Sequence, residues 1–297
     1  MLFLQSILCT FFCYFNVIIL YKYNLNQFVF FIFLCYNLHR ELKKEGFIMA
    51  FFERDYTIDV SHVAPNGFIT NMGILSLLED TACKHSDVAG YGFNDIYNTG
   101  VSWILLAWKV KILKRVRYAD IVKVRTWARP HKKFTTLRDF EMLDKNGNVI
   151  CIATTKWTLV DIKKETITTI TDEMFNKYFP EERSVFSEND IAKLIEPKEH
   201  SSEYIYKTQR RDIDINKHMH NLNYLYLAYE ALPEDIYNSP ECDNVEIMYK
   251  TSIRLCDTVK CLYSKVNDSH YITIKSLDDK HLHAIIKLYK KIYKIFI

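Results

Sequence analysis

The sequence predicts an α+β fold made of two copies of one unit, in which a single helix packs against an antiparallel sheet. The main observation is an internal repeat: residues 66–78 (NGFITNMGILSLL) align with residues 216–228 (NKHMHNLNYLYLA) at an offset of 150. Two later matches follow in the same order, 117–124 (RYADIVKV) with 254–261 (RLCDTVKC) and 153–157 (ATTKW) with 284–288 (AIIKL). Three ordered matches indicate a duplicated unit.

The first copy begins with one amphipathic helix and continues with β-type runs. Asn71 is the predicted N-cap of this helix, and its predicted apolar side consists of Ile74, Leu75, Leu77 and Leu78. Predicted strands follow at 101–114, 120–129, 133–143 and 148–161, with a turn at 144–147 (DKNG).

The second copy repeats this order. A helix at about 221–231 is ended by Pro233, and strands are predicted near 244–255, 258–266, 270–277 and 282–291. We therefore divide the chain into an N-terminal unit at 49–161, a polar linker with short helices at 162–200 and a C-terminal unit at 201–297. The linker is long enough for the second unit to lie beside the first, so that the two sheets can pair edge to edge.

The first 48 residues differ in composition from the rest. Residues 2–21 are almost entirely apolar and long enough for one membrane-spanning helix of about 20 residues. They lack the basic start and the cleavage site of a secretory signal. Residues 43–49 (KKEGFIM) instead admit the codons of a ribosome-binding sequence just before a methionine codon. We expect the protein to begin at Met49, with 1–48 as translated upstream DNA; a membrane anchor at 2–21 is the alternative.

Composition excludes several classes of protein. No spacing among the seven glycines matches a dinucleotide-binding, P-loop or serine-hydrolase motif. Residues 1–48 supply +2 of the formal net charge of +3, and the nearly neutral remainder argues against nucleic-acid binding. The eight cysteines form no C-x-x-C pair, so we expect neither a metal site nor a disulfide framework, and a cytoplasmic location.

Residues 211–221 (RDIDINKHMHN) carry the strongest signal for chemistry. Alternation along an extended segment places on one side, just before the second helix, the side chains of Asp212, Asp214, Asn216, His218 and His220. Backbone N–H groups at a helix start can stabilise an oxyanion, and a histidine can move protons near neutral pH. An amide or carboxylate can orient that histidine or a water. The pattern favours hydrolysis.

Other interpretations of this segment are weaker. A calcium loop is excluded because its sixth position is Lys217 and not glycine, and its twelfth is Asn223 and not glutamate. Two histidines without a third spaced ligand are a weak zinc signal. A simple helix cap at Asn221 is the structural alternative. The first copy has Ala64 where the second has Asp214 and Phe68 where it has His218, so we expect the second copy to do chemistry and the first helix to line a ligand tunnel.

The residues resemble the acyl-acyl carrier protein thioesterases of plants and bacteria, which have a tandem double hotdog fold. The resemblance covers nearly all of residues 50–290 and includes the Asp214-x-Asn216-x-His218 core, with Asn221 and Tyr224. It also includes three segments of the predicted strands, 126–128 (TWA), 138–140 (RDF) and 156–161 (KWTLVD).

The resemblance implies hydrolysis of acyl-acyl carrier protein to a free fatty acid, without a cofactor, by a protein that forms a homodimer. It implies His218 as general acid or base, Asn216 as its orienting partner or a carbonyl ligand, and Asp214 as the carboxylate that attacks or positions water. Family members usually carry glutamate or cysteine in a Tyr-Lys-Lys-Glu-like stretch, where this chain has YKTS at 249–252. Either Ser252 orients a water in place of that acid, or the other three residues suffice.

An acyl carrier protein is acidic, so the resemblance also implies a basic docking surface. Residues 109–138 hold eleven lysines and arginines and one acid. We predict docking by Lys109, Lys111, Lys123, Arg125, Arg129, Lys132 and Lys133. The alternative is a solvated sheet face whose charge balances the acidic linker.

Three alternative functions stay open at this point. The first is hydrolysis of acyl-CoA, which differs only in the carrier of the acyl group. The second is a non-catalytic module that binds acyl groups or their carrier, since the expected strand acid is missing. The third is a dehydratase of the hotdog type, which acts on a hydroxyacyl thioester without releasing an acid.

Overall fold

The computed structural model describes residues 51–188, 190–237 and 242–290. The predicted start at Met49 and the apolar segment 2–21 lie outside the described residues. None of the helices within the described ranges is long and apolar enough to cross a membrane.

The first half contains one long helix and most of the longest strands. The order is β1 (Phe52–Thr57), α1 (Asn71–Ala89), α2 (Ile96–Thr99), β2 (Val101–Ile112), β3 (Ile121–Ala128), β4 (Thr135–Asp144) and β5 (Val149–Asp161). All four strands predicted after the helix are present within two residues of their expected limits.

The second half repeats this order in shorter elements. It contains β7 (Ser202–Lys207), α4 (Asn221–Glu230), α5 (Glu234–Tyr237), β8 (Asn244–Tyr249), β9 (Thr258–Val266), β10 (Ser269–Ser276) and β11 (Leu282–Tyr289). The prediction that a strand runs to residue 255 is wrong, because β8 ends at Tyr249. Beyond it, the Ile253 N–H donates to Tyr224 Oη at 3.1 Å and the Ile253 carbonyl accepts the Met219 N–H, so this segment serves the loop before α4 and not the sheet.

The two predicted sheets join into one antiparallel sheet. The strand order in the described chain is β1-β3-β4-β5-β2-β8-β11-β10-β9-β7, with β6 (Thr166–Thr168) added on β5. The halves meet where β2 pairs with β8, from Ala107 opposite Met248 to Lys111 opposite Asn244. This confirms the expectation that the sheets pair edge to edge.

The linker between the halves forms short elements and then crosses the sheet. It contains β6, α3 (Asp172–Phe175) and a 3-10 turn (Asn176–Tyr178). The crossing segment, defined as residues 181–188 and 190–199, then runs over the face of the sheet opposite α1. Glu188 forms an ion pair with Lys109 of β2 at 3.0 Å, and Glu196 forms one with Lys275 of β10 at 3.2 Å. The segment therefore ties together the outer faces of both halves.

Helix α1 is held by apolar residues on one side and polar bonds at its start. The predicted apolar residues Ile74, Leu75, Leu77 and Leu78 are all buried, in one hydrophobic core that also includes residues of the second half. Burial of each such side chain contributes roughly 1.5–3 kcal/mol. The N-cap is Thr70 and not Asn71 as predicted, since Thr70 Oγ1 accepts the Gly73 N–H at 2.9 Å.

Asn71 instead joins the two halves. Its Nδ2 donates to Tyr229 Oη at 2.7 Å and to the Cys242 carbonyl at 2.9 Å, both in the second half. Its Oδ1 accepts a hydrogen bond from Arg115 Nη2 at 2.8 Å. A buried amide whose donor and acceptor atoms are both used in this way fixes the position of α1 relative to the second half.

Candidate active site

The reactive segment of the second copy is a tight hairpin with an exact counterpart in the first copy. Ile213 pairs with Met219, and Val63 pairs with Ile69 at the predicted offset of 150. In both hairpins one residue has left-handed backbone, Lys217 (φ 63°) and Gly67 (φ 77°). The duplicated unit inferred from the sequence is therefore repeated in backbone geometry.

The hairpin corrects the predicted placement of the polar side chains. The segment is not extended, because Asp214–Lys217 forms a turn in which the Lys217 N–H donates to the Asp214 carbonyl at 3.0 Å. Simple alternation therefore fails. Asp212 lies in a 3-10 turn before the hairpin, where its Oδ2 accepts bonds from Tyr206 Oη and the Gln209 N–H, both at 2.7 Å.

Asp214 organises the turn through its side chain. Its Oδ1 accepts the backbone N–H of Asn216 at 2.8 Å and that of His218 at 3.3 Å. Its own N–H donates to the His218 carbonyl at 2.8 Å. Three of the predicted catalytic residues are thus brought into one short turn, although the bonds that join them involve backbone atoms of Asn216 and His218.

This turn opens on a cavity of about 470 Å³. The second half contributes Asp214, Asn216, His220 and Asn221 to its wall, and helix α1 contributes Ser76, Glu79, Asp80, Ala82, Cys83 and Ser86. The prediction that the first helix lines a ligand cavity therefore agrees with the structure, but its polar side does so. The apolar side packs on the sheet.

Two of the four predicted catalytic residues do not reach the wall of this cavity. His218 is half-buried in the turn, and Ser252 is exposed in the loop after β8. Neither belongs to the lining of the cavity within the described ranges.

An ion pair between the halves was missed by the sequence reasoning. Glu79 Oε2 on α1 lies 3.1 Å from His220 Nε2, at the start of α4, and both residues line the cavity. The hydrogen bond that His220 Nε2 donates to Glu79 is the main cause that raises the pKa of His220 above 6.5; burial opposes this increase, and the charges of Glu79 and Asp214 add to it. Two signals were available: an acid next to the leucines of α1, and a histidine where the first copy has Thr70.

The predicted docking residues lie on the sheet, and several are paired with acids of the same chain. Lys109 pairs with Glu188 and Lys132 with Asp190, both in the crossing segment. Among the other predicted docking residues, Lys123 pairs with Glu53 at 3.1 Å, Arg125 pairs with Glu53 at 2.6 Å and with Glu141 at 3.4 Å, and Lys133 lies over the ring of Phe134 at 5.1 Å. The pairs of Lys109 and Lys132 support the alternative in which the acidic linker balances the charge of the sheet, whereas Lys123 and Arg125 are paired with acids of neighbouring strands.

The remaining predicted docking residues are Lys111 on β2 and Arg129 after β3. Arg129 lines a second cavity of about 240 Å³, together with Lys132, Lys156, Glu182 and Asp190. The docking role of the basic cluster stays a prediction.

The site offers groups that can act in acid–base chemistry. In the part of the chain that the structure describes, no three His, Cys, Asp or Glu side chains lie close enough to hold a metal ion. What the arrangement offers is a carboxylate (Asp214), an amide (Asn216) and an imidazole whose protonated form Glu79 favours (His220) on one cavity wall. Such groups can position water, bind a carbonyl oxygen and supply a proton.

Comparison with known families decides the class of protein. A family model for the acyl-ACP thioesterase N-terminal domain matches residues 49–178, and one for the acyl-ACP thioesterase C-terminal domain matches residues 195–291. The chain belongs to the acyl-ACP thioesterase family.

Curated relatives of this acyl-ACP thioesterase family member include proteins of Arabidopsis thaliana and Coriandrum sativum. Oleoyl-acyl carrier protein thioesterase 2, chloroplastic, of Arabidopsis thaliana is 27% identical over 236 residues, which cover 74% of this chain and 62% of that protein. The corresponding enzyme of Coriandrum sativum is 24% identical over 239 residues, with the same shares. The chain thus spans a little under two thirds of the length of these relatives.

Solved structures of the family show the same fold. An acyl-ACP thioesterase from Bacteroides thetaiotaomicron has a TM-score of 0.72 at 17% identity and covers 81% of this chain and 97% of its own. The 12:0-ACP thioesterase from Umbellularia californica has a TM-score of 0.73 at 16% identity, with shares of 82% and 97%. The predicted tandem hotdog fold is confirmed.

Proposed function

We propose that this chain hydrolyses the thioester of acyl-acyl carrier protein and releases a free fatty acid, which ends chain elongation in fatty acid biosynthesis. The observation that supports this most directly is the cavity onto which the Asp214 turn and the Glu79–His220 ion pair both open. A thioester has a good thiolate leaving group, so a carboxylate, an amide and imidazoles are sufficient machinery. Relatives named for oleoyl- and dodecanoyl-carrier thioesters support the same substrate class.

The first chemical step forms a bond to the thioester carbonyl carbon. Asp214 Oδ1 is engaged by two backbone N–H groups, and Oδ2 accepts no hydrogen bond from the described chain. Oδ2 therefore either orients a water for attack or attacks itself, in which case water hydrolyses the resulting anhydride. The Asn216 amide donates to the carbonyl oxygen as it becomes negative. In the water route, His218 takes the proton of the attacking water, which requires its ring to rotate from its half-buried position in the turn toward the cavity.

The second step breaks the C–S bond. The imidazolium of His220, whose charge Glu79 favours, donates its proton to the departing thiolate of the carrier's prosthetic group. One water is consumed, and the products are a carboxylic acid and a thiol.

Ser252 has no part in this scheme. It is exposed and lies outside the cavity wall, which supports the interpretation that the other predicted residues suffice without a strand acid.

In this proposal the carrier protein docks on the predicted basic residues of the first half. Two of these residues, Lys109 and Lys132, are paired in the free chain with Glu188 and Asp190.

The test is a release assay with the full chain. Fatty acid released from acyl carrier protein thioesters of several chain lengths is compared with release from matched acyl-CoA esters, with the His218→Ala protein as a control. Release that prefers the carrier protein and falls in the variant supports the proposal. Equal or faster release from acyl-CoA indicates an acyl-CoA thioesterase instead. Binding of the acyl carrier without any release, by a folded protein, indicates a non-catalytic module.

A further inference from the structure

A guanidinium group also faces the cavity, away from the reactive turn. Arg138 of β4 lines the cavity and is only 6% exposed. Its Nη1 donates to His85 Nδ1 at 2.8 Å and lies 3.3 Å from Thr126 Oγ1. No carboxylate of the described chain forms an ion pair with it, and the guanidinium also lies over the ring of Tyr178 at 5.6 Å.

The groups around Arg138 are uncharged near neutral pH. Burial and the neighbouring guanidinium lower the pKa of His85 to about 2, so its imidazole stays neutral. Burial raises the pKa of the Cys83 thiol to about 11, and it also raises the pKa of the Tyr178 hydroxyl. The positive charge of Arg138 is therefore buried without a counter-ion, which is an unfavourable arrangement unless a ligand supplies one.

Two candidates for a counter-ion, the acid next to Arg138 in the sequence and an acid of the cavity wall, have other partners. Asp139, the next residue on β4, points to the opposite face of the sheet, where it accepts bonds from Thr154 Oγ1 at 2.5 Å and from the Val185 N–H at 3.2 Å. Asp80 of α1 forms an ion pair with Arg54 at 2.5 Å.

Part of the guanidinium is open to the cavity. Both hydrogen bonds within the chain involve Nη1. The only fully enclosed side-chain nitrogen or oxygen atoms without a partner in the described ranges belong to Trp108 and Thr273. The Nε and Nη2 atoms of Arg138 are therefore not fully enclosed by protein atoms. A guanidinium edge of this kind binds a carboxylate through two parallel hydrogen bonds.

The position of Arg138 fixes which end of a ligand reaches it. Its partner His85 lies six residues after Glu79 on α1, which corresponds to about 9 Å along the helix axis. Because Glu79 holds His220 beside the reactive turn, a group at Arg138 is separated from the thioester carbon by the length of a short aliphatic chain.

We propose that Arg138 forms an anion subsite in the cavity, which binds a carboxylate carried on an aliphatic chain. This inference rests on the proposed function only for the nature of that chain. The carboxylate has two possible sources. It is either a second carboxylate at the far end of the acyl chain, as in an α,ω-dicarboxylic monothioester, or the carboxylate of a released fatty acid that has turned end for end.

Calorimetry with the full chain tests the subsite without any turnover. The probes are octanoate, octanedioate and the neutral octanamide at pH 7. We expect a carboxylate to bind wild-type protein at least tenfold more tightly than octanamide. Arg138→Met should abolish that preference, Arg138→Lys should reduce it, and the exposed Arg117→Met should retain it. Equal affinities of wild-type protein for octanoate and octanamide would overturn the proposal, whether or not the Arg138 variants fold.

Kinetics separates the two sources. A KM several-fold lower for the octanedioyl than for the octanoyl carrier thioester, lost in Arg138→Met, assigns the subsite to the far end of the substrate. Competitive inhibition by octanoate that is lost in Arg138→Met, without a preference between the two thioesters, assigns it to the released acid. If the protein hydrolyses neither thioester, the proposed function fails while the calorimetric result on the subsite stands.

Discussion

Glu79 and His220 come from opposite halves of the chain, and their side chains meet with 3.1 Å between Glu79 Oε2 and His220 Nε2. Neither half contains this ion pair alone. The pairing of β2 with β8 and the bonds of Asn71 bring α1 beside the reactive turn. The chemistry of the cavity therefore depends on how the two copies are joined.

The pH dependence of turnover tests this ion pair. If protonated His220 is the acid, kcat falls as the pH rises through the folded-state pKa of His220, which Glu79 raises above 6.5. Glu79→Gln removes the main cause of that increase, so the alkaline limb of kcat against pH should move to lower pH. Asp80→Asn, one residue along α1, is the control and should leave the limb in place. An unchanged limb in Glu79→Gln would rule out His220 as the acid.

The same pair should stabilise the fold in one pH range. A histidine with a raised folded-state pKa contributes stability that is fully present below about pH 6.5 and is lost as the pH rises through the folded value. The difference in free energy of unfolding between wild type and His220→Ala should therefore shrink as the pH rises. A difference that is constant from pH 5 to 9 would contradict this.

His218 should be required for turnover. Loss of a residue that carries the proton of the attacking water is expected to lower kcat about 10²–10⁴-fold. Activity of His218→Ala is measured alongside its thermal unfolding, which should be close to wild type because the turn uses only backbone atoms of His218. Full activity in the folded variant would remove His218 from the mechanism.

Asn71 should be important for stability. Asn71→Ala removes three hydrogen bonds at a buried position and leaves the Cys242 carbonyl and the Arg115 guanidinium without this partner. We expect the free energy of unfolding to fall by about 3 kcal/mol. Urea denaturation measures the change, with the exposed Asn94→Ala as the matched control. A loss equal to that of the control would show that the interaction between the halves does not depend on Asn71.

The two left-handed turn residues predict opposite effects. Gly67→Ala should destabilise the protein by about 1 kcal/mol because a residue with a Cβ is strained at a φ of 77°. The added Cβ meets no atom within 4 Å, so backbone strain is the whole expected effect. Lys217→Gly should stabilise it by roughly 0.5 kcal/mol, because the Cβ strain at φ 63° is relieved at some cost in chain entropy. Thermal unfolding of both variants checks the sign. Changes of the same sign would show that the hairpins are not equivalent.

The acids of the crossing segment should weaken carrier docking. Because Glu188 and Asp190 pair with Lys109 and Lys132, the double variant Glu188→Gln/Asp190→Asn frees positive charge for an acidic partner. We expect a KM for carrier-bound substrate that is a few-fold lower at low salt, and an unchanged KM for a small thioester that lacks the carrier. A KM that does not respond to the substitutions or to salt would argue against docking on this face.

The architecture could be predicted because it depends on local patterns. Alternating apolar residues mark β9 at 258–266, which are its observed limits, and the repeat at an offset of 150 indicated the second helix at its observed start. Such patterns come from burial on one face of a strand or helix. The contacts of Asn71 with Tyr229 and Cys242 were beyond prediction, since they join distant parts of the chain.

The candidate site was predicted only in part. The motif indicated Asp214, Asn216 and His218, and the structure places them in one turn. Alternation failed to predict the side-chain positions because Lys217 adopts left-handed backbone, which makes the segment turn. That conformation is rare in residues other than glycine, so the lysine did not indicate it. Glu79 was missed because its role depends on a histidine in the other copy.

The joint between β2 and β8 has a consequence for how such a site evolves. In a symmetric dimer of two separate units, any substitution appears twice, at both copies of every position. Here the halves are one polypeptide, so equivalent positions are free to diverge. The equivalent of Glu79 at the offset of 150 is Tyr229, which bonds to Asn71 and holds the halves together. Fusion thus allowed α1 to carry an ionisable side chain in the cavity, while α4 carries at the equivalent position a tyrosine that binds the other half.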